Sequence, residues 1–295
     1  MRKLLSFLLG ILVLSSCGVV RWRNSETYLP GPAIRNYQPE NLVEEVQYSC
    51  SVPGPSTRRM IVYLPKDYYT SGKRYPVFYL LHGARGYETS WIRKGRVYQT
   101  TDSLWREGKA VPCIVVMPNV NQYNDDKDYE GGRFKDAFES IFEVDGVVES
   151  AFVRDVVHLV DSLYRTVPEK SHRAVAGLSI GGCQSIFLGA NHPDMFGYIG
   201  AYSPYMWGMS KPGKYRWKFY HRLFPKLKVQ FQDAPEGYYL YAGKWDIMRP
   251  STLDLHKKME KLGYPHTYAK YPGSHDWHNG WIEEYADMLQ RVFQD

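Results

Sequence analysis

The chain has 295 residues, of which 37 are basic and 31 acidic, and its formal net charge is +6. This length allows one large α/β domain whose hydrophobic core needs neither a disulfide nor a metal ion for stability. The charge is mild and dispersed, and no motif of a nucleic-acid-binding module accompanies it, which excludes nucleic acid as a partner.

The first 17 residues are typical of a bacterial lipoprotein signal. Arg2 and Lys3 precede an apolar run at residues 4–14, which is too short for a stable membrane span but suits a signal peptide. The run ends in Leu-Ser-Ser-Cys17, which resembles a lipobox whose cysteine is lipidated and becomes the first mature residue; the alternative is a plain secretory peptide with a chance cysteine. Because Gly18 follows rather than an acidic residue, we expect an outer-membrane lipoprotein of a Gram-negative cell envelope. Loss of the leader lowers the net charge to +4.

Residues 18–42 carry several prolines and few aliphatic side chains, so we interpret them as a tether and an irregular lead-in. The domain is predicted to comprise residues 43–295. It opens with alternating apolar side chains over residues 43–52 and a second β-rich run at 60–64, which together predict two antiparallel strands near a sheet edge.

Buried strands alternate with amphipathic helices through the rest of the chain. Apolar runs predict strands at residues 75–81, 111–118, 172–178, 198–202 and 238–242, and residues 266–271 are predicted to form the last strand. Helical spacing predicts helices at residues 152–164, directly after 180, and at 252–262 and 280–293. This alternation indicates a doubly wound, mostly parallel sheet.

Two segments lack such periodicity. Residues 119–132 form a polar loop that we expect to border the cleft. Residues 204–236 carry aromatic side chains among lysines and arginines, and they are interpreted either as a substrate-binding flap or as a basic surface loop.

A Gly-x-Ser-x-Gly sequence at residues 177–181 follows one buried strand and precedes a helix. In such an elbow the serine occupies a sharp turn, and only glycines at Gly177 and Gly181 leave room for the neighbouring backbone. The pattern therefore predicts that Ser179 is an exposed nucleophile.

Two further side chains complete a candidate catalytic set. A serine hydroxyl needs a base, and the base needs a carboxylate that fixes its tautomer. Asp246 and His275 each follow a predicted strand and supply these groups in the order typical of this chemistry. Asp276 and His278 are the competing assignments for acid and base. A metal site at the two histidines is weakly supported, because no further Cys or His completes a ligand set.

The oxyanion donors are predicted to be backbone N–H groups. A glycine-rich turn follows the strand at 75–81, and in α/β-hydrolases the loop at this place supplies one donor while the residue after the nucleophile supplies the other. We assign these donors to Ala84 and Ile180. His82 is interpreted as a structural histidine that hydrogen-bonds the loop.

Together these motifs resemble the esterase-D-like family of α/β-hydrolases, which includes S-formylglutathione hydrolases, feruloyl and acetyl-xylan esterases, enterochelin esterases and mycolyl transferases. The similarity covers roughly residues 45–293 and is carried by Tyr75-Pro76, 80–83, 176–182, 192–196, 243–246 and 273–277. It implies an α/β-hydrolase fold and places the family's nucleophile, acid and base on Ser179, Asp246 and His275. Two positions depart from the family pattern: Ile180 replaces a methionine, and Ser274 replaces a second glycine.

The resulting hypothesis is a lipid-anchored serine carboxylesterase that needs no cofactor and acts on a small-molecule or polysaccharide ester. Envelope placement argues against cytosolic S-formylglutathione hydrolysis and favours acetyl or feruloyl esters of plant polysaccharide. The rival functions are an acyltransferase to a sugar acceptor and a non-catalytic carbohydrate-binding protein of the envelope. Cys50, Cys113 and Cys183 remain in the mature chain, and the latter two are interpreted as small core side chains.

Overall fold

The computed structural model describes residues 20–23, 38–51, 57–84, 86–120, 145–206 and 212–294. The predicted signal peptide, much of the tether and nearly all of the 119–132 loop lie outside these residues. None of the helices in these ranges combines the length and the apolar character needed to cross a bilayer.

Nine strands form one mixed sheet in this part of the chain. They are β1 (Val20–Arg23), β2 (Leu42–Ser49), β3 (Thr57–Leu64), β4 (Val77–Leu81), β5 (Ile114–Pro118), β6 (Arg173–Leu178), β7 (Tyr198–Tyr202), β8 (Gly237–Gly243) and β9 (Thr267–Tyr271). Their order is β1-β2-β3-β5-β4-β6-β7-β8-β9. The first three pairings are antiparallel and the others parallel, which confirms the predicted sheet with antiparallel N-terminal strands.

Helices cover both faces of the sheet. They are α1 (Tyr68–Ser71), α2 (Ser90–Arg93), α3 (Val97–Arg106), α4 (147–163), α5 (Ile180–Asn191), α6 (Pro212–Gln230), α7 (Arg249–Lys261) and α8 (277–291). Two of these contain a π-helical turn: α4 joins Val147–Phe152, the turn Val153–Val157 and His158–Leu163, while α8 joins the turn Trp277–Trp281 to Ile282–Arg291.

The central strand β4 shows why the sheet is doubly wound. All five of its side chains are buried, and successive side chains point to opposite faces. Val77, Tyr79 and Leu81 join the core beneath α4, α5, α6 and α7. Phe78 and Leu80 join the core beneath α2, α3 and α8. Because both faces of β4 are buried, its residues must form a continuous apolar run, as predicted from the sequence.

Strand β1 is an addition to the predicted architecture, because it lies within the segment interpreted as a tether. Its four residues pair with β2 in antiparallel register, with Val20 opposite Gln47. A strand this short gives little alternation in the sequence, and its position is set by the edge of β2.

Helix α6 is the largest departure from the predicted elements, because it occupies most of the segment interpreted as a flap or surface loop. Phe219, Leu223 and Leu227 are buried in the core, and the Phe219 ring meets Phe187 of α5 edge to face at 5.3 Å. Their four-residue spacing is helical. It is obscured by the intervening basic residues and by Pro225, which lies inside the helix where proline removes a backbone hydrogen bond.

The short helix α2 and the helix α3 fall in a region to which the sequence analysis assigned no element. Cys113 and Cys183 are fully buried, as interpreted, and Cys50, Cys113 and Cys183 are all free thiols.

Helix α6 is expected to be part of the folded core and not a movable flap. Leu227→Ala should lower the free energy of unfolding by about 2–5 kcal/mol, because a fully buried leucine loses its contacts and leaves a cavity. Val229→Ala, two residues away and 54% exposed, is the control and should change it by about 0.5 kcal/mol or less. Equal small effects in urea denaturation would show that α6 is peripheral.

Candidate active site

Ser179 occupies a strained turn between β6 and α5. Its φ of 54° and ψ of −112° lie in a region that non-glycine residues rarely adopt, at a cost of about 1–3 kcal/mol. The turn is fixed by two flanking backbone hydrogen bonds: the Ser179 N–H donates to Tyr202 O at 2.8 Å, and the Tyr205 N–H donates to Ser179 O at 2.9 Å. The surrounding strands therefore hold the serine in this conformation.

The two glycines of the elbow are required by close backbone approach. A Cβ on Gly177 would lie 2.6 Å from the carbonyl carbon of Gly181, and a Cβ on Gly181 would lie 2.4 Å from the carbonyl oxygen of His82. Real Cβ atoms do not approach backbone atoms this closely. The spacing that identified the elbow in the sequence therefore has a direct steric origin.

The structure brings together the three side chains selected from the sequence. The Ser179 Oγ lies 3.1 Å from His275 Nε2, and His275 Nδ1 lies 3.0 and 3.1 Å from the two carboxylate oxygens of Asp246. All three residues lie just beyond the carboxyl ends of parallel strands, β6, β8 and β9. This arrangement can move a proton from the hydroxyl to the imidazole while the carboxylate fixes the ring.

Asp246 is buried yet held in its ionised form. Burial would raise the pKa of this carboxyl, but hydrogen bonds from His275 and from the Met248 N–H at 2.6 Å keep the pKa below its usual value. An ionised acceptor at this place keeps the proton of the neutral imidazole on Nδ1. The Nε2 atom is then free to accept the serine proton.

Asp276, the competing assignment for the acid, makes a different contact. Asp276 accepts a hydrogen bond from the hydroxyl of Ser274, so its carboxylate turns back into its own loop. Ser274 is the position where the family pattern has a glycine, and its hydroxyl therefore stabilises the loop that carries the base. The side chain of His278 lies outside the described residues.

The predicted oxyanion donors lie on two segments that approach each other closely. A Cβ on Gly83 would lie 3.3 Å from Ser179 Cβ, so the loop after β4 runs against the elbow. Ala84 is exposed and lines the same cleft as Ser179, and its N–H donates to no other backbone carbonyl among the described residues. Ile180 is the first residue of α5, where the N–H groups have no acceptor within the helix and the helix dipole favours negative charge.

His82 is buried and hydrogen-bonds the loop after β4, as interpreted from the sequence. Its Nδ1–H donates to Gly83 O at 2.8 Å, and its Nε2 accepts from the Val120 N–H at 3.0 Å. Burial lowers the pKa of His82 to about 4, so the ring stays neutral and ties the loop after β4 to the end of β5.

The cleft at Ser179 has a volume of about 210 Å³ and an aromatic wall. Trp277 and Trp281 line it beside His275, and their rings meet edge to face at 5.2 Å. Trp281 also contacts the His275 ring edge to face at 4.9 Å. Sequence reasoning gave these tryptophans no role, although two aromatic residues four positions apart directly after the candidate base were a readable signal.

Comparison with known proteins gives consistent matches. Residues 54–292 match the esterase family described as "Putative esterase". The chain is 31% identical over 206 residues to an endo-1,4-beta-xylanase/feruloyl esterase of Xylanibacter ruminicola, which is 68% of this chain and 24% of that relative. It is 26% identical over 167 residues to endo-1,4-beta-xylanase Y of Acetivibrio thermocellus, covering 53% of this chain and 14% of the relative. The chain thus matches about a quarter or less of the length of these two relatives.

Solved structures resemble nearly the whole domain. A ferulic acid esterase superposes with a TM-score of 0.67 at 25% identity, covering 86% of this chain and 98% of the other. A ferulic acid esterase of the anaerobic fungus Anaeromyces mucronatus superposes with a TM-score of 0.69 at 21% identity, covering 92% of this chain and 96% of the other. These likenesses confirm the predicted α/β-hydrolase fold.

Glu284 on α8 is a buried carboxyl that the sequence analysis did not single out. Its side chain is fully buried, and neither carboxyl oxygen has a hydrogen-bond partner in the described part of the chain. Burial, and then the negative charge of Asp246, raise the pKa of Glu284 well above its ordinary value of 4.5. Folding therefore favours the neutral, protonated form of Glu284, which places no second anion beside the ionised Asp246.

A neutral Glu284 makes stability depend on pH in a defined direction. In the unfolded chain this carboxyl loses its proton near pH 4.3, so at higher pH the unfolded state binds fewer protons than the folded state and the free energy of unfolding falls. Glu284→Gln removes this dependence. The variant should therefore gain stability relative to the unmodified protein as the pH rises from about 4.5 to 8, measured by urea denaturation.

Glu283→Gln is the matched control, because Glu283 is exposed in the same helical turn. If the difference between Glu284→Gln and the unmodified protein is the same at every pH, Glu284 is not held neutral in the folded state.

Proposed function

The chain belongs to the esterase-D-like family of α/β-hydrolases, and on that premise we propose that it is a serine carboxylesterase acting through an acyl-serine intermediate. The observation that carries this proposal is the chain of hydrogen bonds from Ser179 through His275 to Asp246 at the cleft. A solvated serine in a structural turn needs neither the strained backbone nor the two partners.

The proposed mechanism follows from these contacts. His275 Nε2 takes the proton of Ser179 as Oγ attacks the ester carbonyl carbon, and the imidazolium that forms is stabilised by ionised Asp246. The N–H groups of Ala84 and Ile180 bind the oxyanion, each contributing on the order of 3 kcal/mol. His275 then protonates the departing alcohol. A water molecule, deprotonated by His275, then attacks the acyl carbon, and His275 returns this proton to Ser179 Oγ as the acid is released.

The proposed substrates are acetyl or feruloyl esters of plant polysaccharide. Two observations favour a feruloyl group: the cleft has an aromatic wall of Trp277 and Trp281, against which a planar aryl ring can pack, and similar proteins are named feruloyl or ferulic acid esterases. Neither Trp277 nor Trp281 would be required for an acetyl group, which is too small to fill about 210 Å³.

The proposal predicts ester hydrolysis that depends on Ser179. The purified protein should hydrolyse methyl ferulate and p-nitrophenyl acetate, and Ser179→Ala should lower kcat/KM by a factor on the order of 10⁴ or more, because no other group can form the acyl intermediate. The thermal midpoint should not fall, since a methyl group replaces a hydroxyl. The assays are run with and without sugar acceptors. Undiminished hydrolysis by Ser179→Ala would contradict the mechanism.

The acid assignment is tested in the same assay with two matched amide variants. Asp246→Asn should lower kcat/KM roughly 10⁴-fold, because an amide does not hold the productive tautomer of His275. Asp276→Asn weakens only the hydrogen bond with Ser274 and should lower kcat/KM by roughly tenfold or less. The reverse ranking would move the acid to Asp276.

We further propose that the mature protein is an outer-membrane lipoprotein anchored through lipid on Cys17, which the sequence pattern at residues 1–17 supports. Cys17→Ala should release the protein from the membrane fraction, because the lipid on Cys17 is what attaches the protein to the membrane. Cys50→Ala is the control and should stay with the membranes. Membrane retention of Cys17→Ala in cell fractionation would refute the anchor.

A further inference from the structure

The loop between β8 and α7 exposes two large apolar side chains on either side of Asp246. Trp245 is 72% exposed, the most exposed large hydrophobic side chain in the described residues, and Ile247 is 57% exposed. The Asp246 side chain between them is fully buried. The same short loop therefore places its carboxylate inward, toward His275, and its apolar side chains outward, into solvent.

The loop is fixed relative to the triad. The Trp245 N–H donates to Gly273 O at 2.8 Å, and the Lys244 N–H donates to Tyr271 O at 2.7 Å. A Cβ on Gly243 would lie 2.7 Å from Gly273 O, so the two backbones are packed tightly together. Trp245 thus lies at a constant position beside the segment that carries His275.

The indole ring is also oriented. The Lys244 ammonium lies over it at 4.8 Å from the ring centre, a cation–π contact that restrains the side chain. The ammonium covers one face of the Trp245 ring. Because the side chain is 72% exposed, the other face is open to solvent. What distinguishes Trp245 from a scattered surface side chain is that its ring is oriented and that the next residue, Asp246, contacts His275.

We infer that Trp245 is a stacking site for a sugar ring of the polysaccharide that carries the ester. The C–H groups on one face of a pyranose or furanose are apolar and slightly positive, and they match the negative face of an indole. With the ester carbonyl at Ser179 and the acyl group in the cleft, this inference directs the alcohol part toward the loop of Asp246, which does not line that cleft. This inference rests on the proposed function and deepens it, because it assigns a binding position to the sugar chain of the ester.

Kinetics on two esters of the same acid test the inference. The ratio of kcat/KM for a feruloylated arabinoxylo-oligosaccharide to kcat/KM for methyl ferulate should fall roughly tenfold in Trp245→Ala, because only the oligosaccharide reaches the indole. Trp245→Phe should restore most of the ratio. Trp217→Ala is the matched control: Trp217 is 65% exposed but lies on α6, and its loss should leave the ratio unchanged. An unchanged ratio in Trp245→Ala, or an equal fall in Trp217→Ala, would overturn the inference.

A binding measurement separates this inference from the proposed function. In the Ser179→Ala protein, unesterified arabinoxylo-oligosaccharide is titrated by calorimetry, and adding Trp245→Ala should weaken binding roughly tenfold. If the unmodified protein hydrolyses neither ester, the proposed function fails while the titration still reports on the sugar site. If methyl ferulate is hydrolysed but Trp245→Ala binds the sugar as tightly as its parent, the sugar site fails alone.

Discussion

The backbone of Ser179 is the constraint on which the rest of the site depends. A serine with a φ of 54° is stable only because its N–H and carbonyl are held by β7 and the segment that follows it, and because glycines let β6, α5 and the loop after β4 converge. A single turn therefore sets the position of Ser179, the candidate nucleophile, and of the two proposed oxyanion donors, Ile180 and Ala84, relative to it. The strain is maintained by packing in the centre of the sheet, where the strands are buried on both faces.

The proposed base and acid depend on a different kind of support. Asp246 and His275 lie on loops that pair with each other through backbone hydrogen bonds and through the close contact of Gly243 with Gly273. The hydroxyl of Ser274 binds Asp276 and so stabilises the same loop. The departure from the family pattern at Ser274 thus has a physical explanation, because a glycine could not make this contact.

Most of the fold was predictable because its signals are local. The inner parallel strands, such as β4 and β5, are continuous apolar runs, and the elbow follows from glycine spacing. Helix α6 was not predictable from the same reasoning, since Pro225 and the basic residues interrupt the apolar stripe that Phe219, Leu223 and Leu227 form. The aromatic wall and the buried Glu284 depend on how α8 packs against the sheet, and a sequence read by itself gives no distance between such segments. The three candidate catalytic residues could be predicted from the sequence, because each follows a strand and parallel strands bring their carboxyl ends to one edge of the sheet.

Strand β9 has a consequence for how the proposed activity would be lost on heating. It is the outermost strand of the described sheet on that side, pairs only with β8, and keeps its side chains at least partly exposed, whereas β6 is buried throughout. His275 follows β9, and Ser179 follows β6. Local opening of an edge element costs less free energy than global unfolding. Fraying of β9 would withdraw the imidazole while the elbow stays intact, so thermal inactivation would precede loss of the core, and the amides of β9 would exchange hydrogen sooner than those of β6.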